Sequence, residues 1–175
     1  MPWPPSSWSG PLPPRSRSLP SAPSRTSSTP DWLAAFRRHL GAVAAGNLAW
    51  EFAHLPLYTL WRTGTPGEIA SAALHCTLGD VLIAACSLVV ALLVLGSPEW
   101  PRRRFAPVAF AAIAVGLGYT VFSEAANLAR GAWAYSELMP TLPWLGTGLS
   151  TMAQWLLIPV VSLAWACRGR RRRMP

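Results

Sequence analysis

Four apolar stretches dominate the pattern along the chain, at 40–61, 69–96, 105–127 and 148–167. Each is long enough to cross a bilayer as a helix, which takes about 20 residues. Polar, proline-bearing or arginine-bearing segments separate them. The pattern predicts four membrane-spanning helices joined by three connections. Before the first span, Asp31-Trp32-Leu33-Ala34-Ala35-Phe36-Arg37-Arg38 reads as an amphipathic lead-in. Asp31 suits its cap, and Trp32 and Phe36 suit the headgroup level. Pro56 and Pro159 fall inside the first and fourth stretches and predict kinks there.

Within the first stretch the polar residues are periodic. Asn47, Glu51, His54, Tyr58 and Trp61 are spaced four, three, four and three. At about 100° per residue they share one stripe. A carboxylate facing lipid is costly, so the stripe is expected to face the bundle interior. Depths counted at about 1.5 Å per residue pair the helices. His54 and His75 fall in one layer, about 10 Å from the same end of their helices. Glu51 and Asp80 fall in a deeper one. Tyr119, Thr120, Ser123, Glu124 and Asn127 crowd the last third of the third stretch, and Gln154 the first third of the fourth. Every ionisable side chain inside the four stretches is thus expected in one half of the membrane or near its midplane.

Charge then fixes an orientation. The chain has 15 basic residues and no lysine. Arg15, Arg17, Arg25, Arg37 and Arg38 precede the first stretch. Arg102, Arg103 and Arg104 lie between the second and third. Arg168, Arg170, Arg171, Arg172 and Arg173 follow the fourth. Only Arg62 and Arg130 lie on the other side. The positive-inside rule places both termini in the cytoplasm and the polar layers towards the outside. The net charge of +8 is therefore read as orientation and contact with anionic headgroups, and nucleic acid is excluded as a partner.

Composition agrees with this reading. Only 13% of residues are charged and 51% are hydrophobic, against about 25% charged in soluble domains. The expected fold is all-α, an integral membrane four-helix bundle over 31–170. A Pro/Ser/Arg-rich disordered tail (1–30) precedes it, and a basic tail (168–175) follows it. The expected place is the inner membrane of a bacterium, multi-pass, with the bilayer as its partner. A second copy or another membrane protein stays open as a further partner. Cys76 and Cys86 are ten positions apart on one predicted helix, too far for a disulfide.

The polar layers are the candidate site. Glu51-x-x-His54 is the i,i+3 pair found in bundle metal sites. With His75 and Asp80 it gives a candidate metal set of Glu51, His54, His75 and Asp80, suited to zinc or iron. His75 and Asp80 are about 140° apart on a helix. Sharing one centre would require a distortion near Gly79; otherwise Asp80 supports another residue. Without metal, Glu51, His54, Asp80 and Glu124 form a candidate acid–base set of the kind a lipid-active enzyme would use. His54 and His75 at one depth would also suit the two axial positions of a b-type haem. The remaining alternative is an accessory membrane subunit whose polar residues only lock helices together.

Overall fold

The computed structural model describes residues 31–171 together with Met1. Apart from Met1, the expected disordered segment 1–30 lies outside the described residues, as does the end of the basic tail (172–175). The described chain is all-helical. Helix α1 spans Asp31–His54, and a single 3-10 turn, Leu55–Leu57, follows it. A one-turn helix α2 (Leu60–Thr63) leads into α3 (Pro66–Leu95), α4 (Phe105–Ala129) and α5 (Leu149–Arg171). α1 packs on α3 and α5, and α4 packs on the same two helices.

Three helices are long and apolar enough to cross a membrane: Pro66–Leu95, Phe105–Ala129 and Leu149–Arg168. Their outer faces carry large apolar side chains, among them Leu82, Leu93, Phe110, Phe122 and Val161, all well over half exposed. Contiguous apolar surface on that scale belongs against lipid or another protein.

The expected first span, 40–61, does not form as one helix. Pro56 has no N–H to donate, and its ring collides with the carbonyl four residues earlier. α1 therefore stops at His54 rather than kinking. Its apolar part, residues 40–54, is about 22 Å long at about 1.5 Å per residue, short of a bilayer core of about 30 Å. Tyr58 is extended, with φ −108° and ψ 150°. The break also ends the predicted stripe early. Asn47, Glu51 and His54 are buried as expected, but Trp61 is 46% exposed.

Sequence signals set the other helix ends. Thr65 caps α3 in a reciprocal box: its hydroxyl accepts from the Glu68 N–H, and Glu68 accepts from the Thr65 N–H at 2.8 Å. Pro66 occupies the first turn, where its missing N–H costs nothing. α3 then runs unbroken through Gly79, so the distortion considered there does not occur. α5 stays helical through Pro159. Asp31 does not act only locally; its carboxylate pairs with Arg102 in the α3–α4 connection. That contact puts the start of α1 and the Arg102–Arg104 cluster at one end of the molecule, called here the arginine end.

The core changes character along its length. At the arginine end it is apolar, with Ala35, Leu88, Trp100, Val108, Leu163 and Cys167 in one cluster. Val43, Ala84 and Trp155 continue it towards the middle. Small residues allow close approach: a Cβ at Gly116 would run into the Trp155 indole, and one at Gly46 would meet Ile158 at 3.1 Å. One polar pair interrupts this half. His39 is 2% exposed and shares a 2.8 Å hydrogen bond with Ser162 on α5. His39 lies one residue before the first apolar stretch, where α1, which starts nine residues ahead of that stretch, already buries its first turns. All three cysteines are free.

Candidate functional site

At the end away from the arginines, the four long helices diverge around a cavity of about 260 Å³. All five sequence candidates line it: Glu51 and His54 from α1, His75 and Asp80 from α3, and Glu124 from α4. Residues placed in two layers by counted depth thus share one cavity wall. The structure adds what each one holds.

Glu51 and His54 bond within one turn, Oε2 to Nε2 at 3.0 Å. With Glu51 ionised, that nitrogen carries the hydrogen, and Nδ1 is left as an acceptor. Ser150 fills the second role at 3.1 Å, and Ser150 in turn accepts from Trp50 Nε1 at 3.3 Å. Both ring nitrogens of His54 are thus engaged. Ser150 and Thr151 open α5 and Gln154 follows one turn later, so a single helical face supplies three partners.

Gln154 is the bridge. Its Nε2 lies 3.2 Å from Asn47 Oδ1, 3.0 Å from Glu51 Oε1 and 3.0 Å from Asp80 Oδ2. An amide nitrogen has two hydrogens, so three acceptors share two donors. The other Asp80 oxygen accepts from Trp155 Nε1 at 3.0 Å. Both Asp80 oxygens are thus held by side chains of α5, and through Gln154 the residue is linked to Glu51. A continuous hydrogen-bonded chain runs from Trp50 through Ser150, His54, Glu51, Gln154 and Asp80 to Trp155.

Glu124 anchors a different assembly. Its Oε1 accepts from Tyr58 at 3.2 Å and from Tyr135 at 2.5 Å. Tyr58 also bonds Thr151 at 3.2 Å, and Tyr135 accepts from the Gly148 N–H at 2.8 Å. Burial, and then the bond to Glu124, raise the Tyr135 phenol above its ordinary range, so it stays a donor. The backbone supports the same contact. Tyr58 and Tyr135 form an isolated antiparallel bridge. Beside it, Thr59 N donates to Ala134 O at 3.0 Å and Ser136 N to Leu57 O at 2.9 Å. The segment after α4 therefore folds back as a roof over the broken end of α1. Trp133 and Ala132 carry this roof into the cavity wall.

Tyr135, Trp155, Ser150 and Thr151 were absent from the sequence-derived set. Gln154, noted by depth, implied its neighbours one turn earlier. Nothing periodic marks Tyr135, which arrives from an irregular loop. His75 lines the cavity yet remains exposed. Among the described residues, no three His, Cys, Asp or Glu side chains gather as a metal site requires. No arginine lines the cavity either.

The chain matches no family model, and no curated protein or solved structure matches it.

Proposed function

We propose that this chain is a four-span membrane protein, with both termini in the cytoplasm, whose outward-facing cavity binds a small amphiphilic molecule. Glu51, His54, Asp80 and Glu124 are the acid–base groups presented to that molecule. One observation carries the reading: three helices each contribute a carboxylate to a single cavity. Intramembrane carboxylates are costly, and such groups mark functional sites by default. A cavity of about 260 Å³ approaches the few hundred Å³ of typical small-molecule sites.

The four-span topology has its own support. α1 is short, but the 3-10 turn, α2 and the roof extend it, and irregular backbone at membrane depth is tolerated where it lines a cavity or packs on protein. The Asp31–Arg102 pair joins two segments that the arginine distribution assigns to the cytoplasm.

A second reading has an observation of its own. Gln154 ties α1 to α3 and α5, as a residue that only locks helices would do. Cys76, half-buried in the cavity wall, separates the two. In right-side-out vesicles, a small impermeant thiosulfonate carrying a trimethylammonium group is expected to modify Cys76. A Glu51→Gln variant is expected to remain extractable and folded. If Cys76 stays unmodified until the vesicles are opened, the outward cavity is wrong. Loss of the Glu51→Gln protein during extraction favours helix locking.

A further inference from the structure

The three carboxylates share a property beyond their position. Among the described residues no arginine pairs with any of them; the donors are His54 and Gln154 for Glu51, Gln154 and Trp155 for Asp80, and two tyrosines for Glu124. Hydrogen bonds of this kind fill lone pairs, but a buried carboxyl group without a cationic partner is a costly place for charge, and an incoming cation relieves that cost. The two 3.0 Å bonds to Gln154 Nε2 put oxygens of Glu51 and Asp80 at most 6.0 Å apart. The cavity therefore gathers three carboxyl groups with no arginine among its lining residues, an arrangement that offers a cation three partners at once.

Thr120 supplies an independent observation. It is 6% exposed, lines the cavity from α4, and its hydroxyl has no hydrogen-bond partner. A threonine within a helix ordinarily satisfies itself on the carbonyl four residues back. Thr77 does so here, donating to Ala73 O at 2.8 Å. Thr120 does not, and a buried polar group left unpaired costs about 1–3 kcal/mol. As a lining residue one turn before Glu124 on α4, it suits a ligand's polar group. Trp133 Nε1, on the roof beside the same cavity, is also buried without an acceptor.

Size decides the kind of cation. A cavity of about 260 Å³ has room for about nine waters at about 30 Å³ each, far more than a bare metal ion fills. Leu55, Leu60 and Ile83 add apolar wall, and Tyr58 and Trp133 add aromatic surface of the sort that attracts organic cations. We propose that the ligand is a small amphiphilic amine, bound as its ammonium ion among Glu51, Asp80 and Glu124. Its N–H groups reach the carboxylates and Thr120, its apolar body lies against Leu55, Leu60 and Ile83, and a hydrogen-bond acceptor on it meets Trp133. This inference rests on the outward-cavity reading above.

The test uses the full chain, purified in detergent, with Cys76 as reporter. Neutral methyl methanethiosulfonate is the probe, and site-resolved mass spectrometry follows Cys76 against exposed Cys86. 2-Phenylethylammonium and its carboxylate counterpart, 3-phenylpropanoate, are added as competitors. The ammonium is expected to slow modification of Cys76 by about tenfold or more, equivalent to about 1.4 kcal/mol of occupancy preference. The carboxylate is expected to leave the rate unchanged, and Glu124→Gln, if eluting as the wild type does, should shrink the difference. Equal protection by both competitors, or by neither, overturns the amine while leaving the cavity in place. Failure of the neutral probe to reach Cys76 at all, with Cys86 modified, overturns the cavity itself. Because the first comparison needs no substitution, misfolding of the variant does not affect it.

Discussion

Gln154 joins three of the described helices through one amide nitrogen. It is 2% exposed and serves acceptors on two neighbouring helices. Gln154→Leu keeps most of the volume and removes both N–H donors. Asn47, Glu51 and Asp80 then lose a partner, and each stranded buried acceptor costs about 1–3 kcal/mol. Part of this is recovered by water entering the cavity. The expected outcome is a loss of about 2–4 kcal/mol in total, read as a lower thermal midpoint in detergent. A midpoint equal to wild type would mean that water already serves these groups and that Gln154 is dispensable. The carboxylates themselves were legible in the sequence, because charge in an apolar run stands out and helical spacing fixes its face. Gln154 was legible as a depth, but its threefold sharing depends on side-chain directions that spacing does not encode.

At the scale of elements, the contrast between helix interior and helix end explains what the pattern revealed. α3, α4 and α5 formed where apolar runs predicted them, since nothing in those runs removes a needed N–H except Pro159, which α5 accommodates. α1 failed to extend because Pro56 sits where the chain can leave the helix and find other partners, on Ala134 and Ser136. Those partners lie some 80 residues away in sequence, so local reasoning favoured a kink over a break. The α4–α5 contact offers a paired test. Gly116→Ala places a methyl against Trp155, whose indole holds Asp80. Overpacking of this kind costs about 1–3 kcal/mol. Gly118→Ala meets nothing within 4 Å and should be neutral or stabilising by up to about 1 kcal/mol. Thermal midpoints of the two variants should therefore move in different directions. Equal shifts would mean that α4 and α5 are not in contact at Gly116.

For the whole molecule, orientation is the property on which everything else depends. A cysteine at Thr65, on the connection before α3, is expected to react with an impermeant maleimide added outside. A reporter fused after Pro175 should be active only in the cytoplasm. Reaction at position 65 only after permeabilisation would invert the protein and turn its cavity towards the cytoplasm. The sequence offers an expectation for these sides because arginines cluster at one end of the described helices. It could not reveal how the two ends of the bundle differ in packing, which emerges only when the helices are assembled.

That difference has a last consequence. Below Gln154 and Asp80 the space closes on Val43, Ala84 and Trp155, and beyond them on a close apolar core sealed around the single His39–Ser162 pair. Among the described residues the polar network thus ends on an apolar floor at Trp155, so a molecule held in the cavity would meet its polar partners on the walls and packed side chains beneath.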